Sequence, residues 1–211
     1  DTDADYDHEL TIRATDDVRL HGAIGLLGSM RVTAADDIDL WNMVLTAQAD
    51  GHGVKLEAGD AIRLGDATGN TGAVILEADS RVDLLASGVL TLGTNAQIYT
   101  SGAGSVIAGE GSVVDIQGAV LAGRDHLVRY DPADDESLDF DGAVLPQSTA
   151  TGQGAIVDFR ATRQLVVGRL TDDFGGQVTA TGSITLKSGT ATSGGIGYEM
   201  TGASSVRVDV T

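Results

Sequence analysis

The most constraining feature of this chain is a short pattern that recurs four times within residues 10–84. The copies read LTIRATDDVRL, MRVTAADDIDL, VKLEAGDAIRL and VILEADSRVDL, and they begin at Leu10, Met30, Val54 and Val74. Aliphatic or Met side chains occupy the first, third, ninth and eleventh positions of each copy, and Ala always occupies the fifth. Recurrence at separations of 20, 24 and 20 residues predicts stacked structural repeats rather than one compact fold.

The apolar residues of each unit alternate with polar ones, and this period of two predicts a β-strand with one buried face. Between the two apolar pairs stands Asp16, Asp36, Asp60 or Ser80, and these residue types favour turns. Each unit is therefore predicted to form a strand, a corner and a second strand. A charge at an inward position such as Leu64 should break the stack locally, since each buried apolar side chain contributes roughly 1.5 to 3 kcal/mol.

Looser copies of the pattern, starting at residues 90, 106, 157, 176 and 198, bring the total to about nine coils. The pattern predicts an all-β fold, a right-handed parallel β-helix (β-solenoid) of about nine coils with one loop insertion. The predicted organisation is an acidic lead-in at 1–9, coils at 10–117, the insertion at 118–156 and further coils at 157–211. We expect this segment to be cut from a longer chain.

Charge and composition narrow the partners. The chain carries 31 acidic and 13 basic residues, a formal charge of -18, and no cluster of Lys and Arg that could follow a phosphate backbone. Nucleic acid is therefore not an expected partner. No run of 18 apolar residues is present, so membrane insertion is not expected. The absence of Cys removes disulfides and thiolate metal sites together.

The alternation around Ala and Asp in MRVTAADDIDL and VKLEAGDAIRL, with Gly-rich connections such as GDATGNTGA, resembles one known family. It is similar to the filamentous-haemagglutinin-like repeats of large secreted bacterial surface proteins and adhesins. The similarity covers residues 10–118 and, more loosely, residues 157–210. It implies a right-handed parallel β-helix that is exported as part of an extracellular fibre at the bacterial cell surface.

Three functions remain open on these residues. The leading hypothesis is a non-catalytic structural and adhesive rod, whose partners are other copies or segments of the same fibre, or a surface glycan or protein receptor. The second is a polysaccharide-active β-helix enzyme, because Asp36-Asp37 and Gly51-His52-Gly53 provide paired carboxylates and a histidine. Asp16-Asp17 occupies the same repeat position one unit earlier, which favours a corner role, so no catalytic residue is assigned. The third is a protomer that stacks end to end into a filament.

The insertion contains the densest acidic stretch, RYDPADDESLDFDG at residues 129–142. Carboxylates are hard oxygen ligands that suit calcium, the one cofactor that the sequence suggests. The candidate calcium ligands are Asp131, Asp134, Asp135, Glu136, Asp139 and Asp141. Loops that leave a rigid scaffold often carry binding residues. The candidate partner-binding residues are Arg124, Arg129, Tyr130 and Phe140 in the insertion, and Trp41 outside it.

Overall fold

The computed structural model describes residues 9–47, 51–67, 70–93, 95–123, 152–167, 177–180, 182–188 and 205–210. Its strands form a parallel β-solenoid, which confirms the predicted fold class. The strands are β1 (Glu9–Ala14), β2 (Val18–Leu26), β3 (Ser29–Ala34), β4 (Ile38–Ala47), β5 (Gly53–Ala58), β6 (Ile62–Leu64), β7 (Asp66–Ala67), β8 (Asn70–Thr71), β9 (Val74–Ala78), β10 (Arg81–Ala86), β11 (Val89–Leu92), β12 (Ala96–Thr100), β13 (Val106–Ile116), β14 (Ala119–Ala122), β15 (Ile156–Val167), β16 (Gln177–Ala180), β17 (Ser183–Ser188) and β18 (Ser205–Val210).

Each complete turn of the solenoid contributes strand residues to three faces. Face A is the ladder β1-β3-β5-β10-β13-β15-β17-β18. Face B stacks the first part of β2 and β4 with β6, β11 and the second part of β13 and β15. Face C stacks the second part of β2 and β4 with β9, β12, β14 and β16. All of these pairings are parallel, whereas β7 and β8 form a short antiparallel hairpin.

The prediction of nine coils was wrong, because the solenoid has about five continuous turns, in residues 9–122. Strands β15 to β18 extend the same ladders. Three predicted units begin in the middle of a turn. Val74 begins face C of the third turn, Leu90 lies on face B of the fourth, and Val178, from the unit predicted to start at residue 176, lies on face C. A strand, a corner and a second strand look alike in sequence whichever two successive faces they occupy, and this is why the count was too high.

The core consists of inward-facing columns that run along the stack, as the alternation predicted. On face A, Val32, Leu56 and Leu84 are register neighbours, and each is fully buried. Leu64 on face B is likewise fully buried. The repeated Ala forms two columns, each at the place where a face ends. Ala14, Ala34, Ala58 and Ala86 stack on face A, whereas Ala47, Ala78, Ala122 and Ala180 lie in one column of face C.

The first half of the unit predicted to start at residue 106 is displaced by one position, whereas Val114 and Ile116 in its second half face the core as predicted. Ile107 and Gly109 face the core, while Val106 and Ala108 are half-buried on the outer surface. Gly109 pairs with the fully buried Phe159 on β15, and a side chain at position 109 would collide with that ring. The apolar alternation at residues 106 and 108 was therefore misleading, since the inward position is occupied by a glycine. In the part of the chain that the structure describes, no helix has the length and apolar character needed to cross a membrane.

Candidate functional site

Most of the predicted site residues fall in one segment. The candidate calcium ligands Asp131, Asp134, Asp135, Glu136, Asp139 and Asp141 lie outside the described residues, as do Arg124, Arg129, Tyr130 and Phe140. The flanks of this segment are described, and they meet: the amide of Gly152 donates to the carbonyl of Gly123 at 3.0 Å. The chain therefore leaves and rejoins the solenoid at one corner, directly after β14.

Trp41 lies at the corner between face B and face C of the second turn. The residue is half-buried, and its ring centroid lies 5.5 Å from that of His21, with the planes tilted by 33°. The next residue, Asn42, has a positive φ of 44°. Its side chain packs against Gly72, where a Cβ would collide with it. Part of the indole therefore remains accessible, while neighbouring turns hold the ring in place.

A groove across the outer surface of face A brings together residues that the sequence analysis did not select. Its cationic side chains are those of Arg31, Lys55 and Arg81, from three successive turns. The other residues that line it are Glu9, Ser29, Met30, Gly51, Gly53, Val54, Ser80 and Asp83. The three cationic residues are unequally spaced along the sequence. Only the stacking of successive turns therefore places them side by side.

Two carboxylates, of which one is shared, hold the cations of this groove in position. Glu57 Oε2 accepts hydrogen bonds from Lys55 Nζ at 3.2 Å and from Arg31 Nη2 at 3.1 Å. The hydrogen bond from Lys55 is the main reason that the pKa of Glu57 lies below its usual range. Arg81 Nε donates to Asp83 Oδ2 at 2.7 Å. Arg31 Nε is buried and has no hydrogen-bond partner among the described residues, which leaves a donor unsatisfied at the groove.

The rim of the groove is a network of hydroxyl, imidazole and main-chain groups. Ser29 Oγ lies 3.1 Å from His52 Nδ1 and accepts a hydrogen bond from the Gly53 amide. Ser80 Oγ lies 2.9 Å from the carbonyls of both Gly51 and His52 and donates to them. A set of fixed donors and acceptors beside partly exposed cations suits a polar ligand such as a sugar with an acidic group.

A second charged feature is the corner between face A and face B, where the Asp residues of the repeat form a ladder between turns. Asp17 Oδ1 accepts a hydrogen bond from the Asp37 amide at 3.3 Å, and Asp37 Oδ1 accepts one from the Ala61 amide at 3.0 Å. This arrangement explains why Asp recurs here, because each carboxylate binds the backbone of the following turn. The corner prediction is confirmed at these residues.

Arg63 crosses two turns of this corner. Its Nη1 lies 2.7 Å from Asp37 Oδ2 and 3.1 Å from Asp39 Oδ1. Desolvation acts to raise the pKa of Asp37, but the hydrogen bonds from Arg63 and the Ala61 amide outweigh it and lower that pKa. The pKa of Asp36 is raised by partial desolvation and by repulsion from Asp37 and other nearby carboxylates. Adjacent aspartates of one corner are therefore shifted in opposite directions.

Two overlapping groups at this corner bring carboxylate oxygens within 4.8 Å of one another. They are Asp16, Asp17 and Asp36, and Asp36, Asp37 and Asp60. These are the places among the described residues where side chains could share a metal ion. Asp37 is already bound by Arg63 and the Ala61 amide, so the ladder accounts for its position without an ion.

The residues that suggested a polysaccharide-active enzyme do not come together. Asp36 and Asp37 follow face A at the corner with face B, whereas His52 precedes face A. A six-residue strand separates the two corners, which at about 3.3 Å per residue is roughly 17 Å or more. His52 instead contacts Ser29 at the groove.

No family model, curated protein or solved structure matches this chain. What the structure supports is a β-solenoid, and the resemblance to filamentous-haemagglutinin-like repeats stays a prediction from the sequence.

Proposed function

We propose that this chain is a rigid, non-catalytic segment of an extracellular bacterial surface fibre, with a structural and adhesive role. The continuity of the face A ladder carries the proposal. Eight strands pair in parallel along this face, and at about 4.8 Å per step they span roughly 34 Å. Stability in such a stack comes from contacts between neighbouring turns, so further turns lengthen the rod without changing its cross-section.

The groove on face A is the proposed contact surface for a glycan or a protein receptor. It gathers Arg31, Lys55 and Arg81 in a chain whose net charge is -18. Their side chains are 40%, 34% and 54% exposed, so a partner can reach them. Three exposed cationic side chains favour a partner rich in oxygen acceptors, which describes carboxylated and sulfated sugars.

The experiment is a binding assay with the immobilised 211-residue chain and an array of neutral, uronate-containing and sulfated glycans. We expect retention of an acidic glycan that falls at least about tenfold in the double variant Lys55→Ala/Arg81→Ala. Arg160→Ala is the matched control, because Arg160 also lies on face A and pairs with Asp158, but it lies outside the groove. Equal binding of the acidic glycan by the double variant and the control would exclude the groove as its binding site.

The structural half of the proposal is tested separately. Antibodies against the folded chain should label intact, unpermeabilised cells that express the parent protein, and electron micrographs of that protein should contain thin rods. Labelling only after permeabilisation would contradict the extracellular assignment. Release of products from pectin-like polymers by the purified chain would contradict the non-catalytic assignment.

End-to-end association of copies is a second candidate, which the first turn supports. Within the described residues β1 pairs on one side only, with β3, and its inward residue Leu10 is 37% exposed. Leu27, at the end of the same turn, is 83% exposed. An open strand edge beside apolar side chains can accept another strand. Light scattering at rising protein concentration tests this candidate, because a chain that does not associate keeps a constant mass.

A further inference from the structure

The three cationic side chains of the groove lie on successive strands of face A. Arg31 on β3 and Lys55 on β5 are register partners. Arg81 on β10 pairs with Gly53, which stands two residues before Lys55. Neighbouring strands lie about 4.8 Å apart, so the strands that carry Arg31 and Arg81 are roughly 10 Å apart. The line of positive charge therefore runs across the strands, along the axis of the solenoid, and not along any one strand.

The floor of the groove between these cations includes bare main chain at Gly53. The Gly53 amide donates a hydrogen bond to Ser29 Oγ at 3.3 Å. On its other side, a Cβ at position 53 would lie 2.5 Å from the carbonyl oxygen of Arg81, so the close packing of the strands requires a glycine here. No side chain therefore stands between Ser29 and Arg81, and a ligand can lie against the backbone at this place.

Each cation keeps hydrogen-bond donors for a ligand. Glu57 accepts from Arg31 Nη2 and from Lys55 Nζ, whereas Asp83 accepts from Arg81 Nε. An ammonium group has three N–H donors and a guanidinium has five, so these bonds use only some of them. Within the described residues, Arg81 Nη1 and Nη2 have no partner, and together they can bind a planar carboxylate through two parallel hydrogen bonds. Because different carboxylates hold the two guanidinium groups, the groove offers two separate positions for acidic groups.

The two ends of the groove differ in character. Glu9 lies at the end towards the first turn, where its exposed carboxylate repels an anionic ligand. Beyond Arg81, the next two strands of face A carry the outward residues Val106 and Ile156, which are register partners. Val106 is half-buried and Ile156 is 36% exposed. These apolar side chains can pack against the C–H groups of a sugar ring without adding negative charge. A ligand bound by the cations therefore extends towards β13 and β15.

We propose that the groove binds a uronate oligosaccharide that lies along the solenoid axis, with the carboxylates of two different sugars bound at once. One carboxylate contacts Arg31 and Lys55, and the other contacts Arg81. The sugar between them lies over the backbone beside Ser29, and the ligand continues over Val106. A single uronate fills only one of the two positions, whereas linked uronates fill the second position at a high effective concentration. This inference rests on the proposed function, whose ligand it specifies by chemistry, length and orientation.

Calorimetric titration of the 211-residue chain with oligogalacturonates and oligomannuronates of increasing length tests the length requirement, because every sugar of these two series carries one carboxylate. In at least one series, affinity should rise at least about tenfold from the single uronate to the longer members. In Arg81→Ala this rise should disappear, while the single uronate still binds through Arg31 and Lys55.

The failure of this inference is distinct from the failure of the proposed function. Binding that is independent of length, but is lost in Lys55→Ala/Arg81→Ala, would overturn the inference and leave the groove as a binding site. Absence of binding in both series would also overturn it. Retention of a sulfated glycan on the array would then show that the proposed function survives, whereas retention of no acidic glycan would contradict both.

The orientation of the ligand is tested by lengthening the line of cations. Val106→Lys adds a cation one strand beyond Arg81, whereas the control Val89→Lys adds the same charge on the outer surface of face B. Val106→Lys should strengthen binding of the longest uronate oligosaccharides by at least about threefold, as one exposed ion pair can, and should leave the single uronate unaffected. Val89→Lys should change neither, and circular dichroism checks that both variants fold. A folded Val106→Lys variant that binds every length as the parent chain does would overturn the axial orientation.

Discussion

Phe159 on β15 occupies the space that Gly109 leaves on β13, its register partner on face A. A Cβ at position 109 would collide with Cε1 and Cδ1 of the Phe159 ring and would lie 2.8 Å from Leu90 Cδ2. The largest fully buried side chain of the described core is thus paired with the smallest residue. Adjacent turns are matched in volume, and not only in polarity.

The first prediction concerns this pair. Gly109→Ala should lower the free energy of unfolding by about 1 to 3 kcal/mol, because the added methyl overpacks the column. In a Phe159→Leu background the same substitution should cost clearly less, and the two changes should not be additive. Urea unfolding followed by circular dichroism measures both. Gly25→Ala is the control, since a Cβ there meets only Thr46 Oγ1 at an ordinary 3.4 Å. Additive losses would contradict the steric explanation.

The second prediction concerns Arg63, whose side chain is 26% exposed and which binds Asp37 and the 9% exposed Asp39. Arg63→Ala should destabilise the chain by about 1 to 3 kcal/mol, because Asp39 loses its closest cation while it remains buried. Arg81→Ala should cost less than about 1 kcal/mol, since its bridge to Asp83 is at the surface. Urea midpoints at neutral pH compare the two. An equal loss of stability in both variants would show that the network of Arg63 with Asp37 and Asp39 stabilises the fold no more than a surface ion pair does.

The third prediction uses the adjacent residues Asp36 and Asp37. The pKa of Asp37 is lowered, so its charged form stabilises the fold above the unfolded pKa of about 3.8, and this contribution is lost as the pH falls through the folded pKa. The pKa of Asp36 is raised, so its protonated form is favoured below the unfolded pKa, and that benefit is lost as the pH rises through the folded pKa.

The two Asn variants should therefore respond to pH with opposite sign. Asp37→Asn should lower Tm at pH 7, and the difference from the parent chain should shrink only at acid pH, as the pH falls below the unfolded pKa of about 3.8 and through the lower folded pKa. Asp36→Asn should equal or exceed the parent Tm at pH 7 in low salt, with the difference vanishing near pH 3. Thermal unfolding at low ionic strength checks both. Differences with the same sign in the two variants at pH 7 would contradict the assignment.

The fourth prediction compares neighbouring positions on β11. Leu90 is fully buried, whereas Val89 is 38% exposed. Leu90→Asp should disrupt the stack, because a carboxylate in the column is desolvated without a partner. Val89→Asp should change stability by less than about 1 kcal/mol, as is usual for surface substitutions. Circular dichroism and limited proteolysis distinguish the two variants. Similar behaviour of both would contradict the assignment of Leu90 to the core and of Val89 to the surface.

Local side-chain order predicted much of the fold and little of the candidate site. Alternation around Val32 and Leu56 is a property of each strand and could be read without knowing its neighbours. The groove of Arg31, Lys55 and Arg81 could not be found in this way. Those residues stand 24 and 26 positions apart, and the number of residues per turn differs between turns. Only an equal spacing of the three cationic residues along the sequence could have indicated that they lie side by side, and their spacing is unequal.

The amino-acid sequence by itself determined that this protein forms strands, which side of most strands faces inward, and that Asp and Ala occupy the corners. These properties depend on the two-residue period of a strand and on the turn preference of Asp, which act over a few residues. Only the tertiary structure decided which face each strand joins and which inward position is glycine. Those outcomes depend on volumes and charges brought together from different turns, as at Gly109 and Phe159 or Arg63 and Asp37.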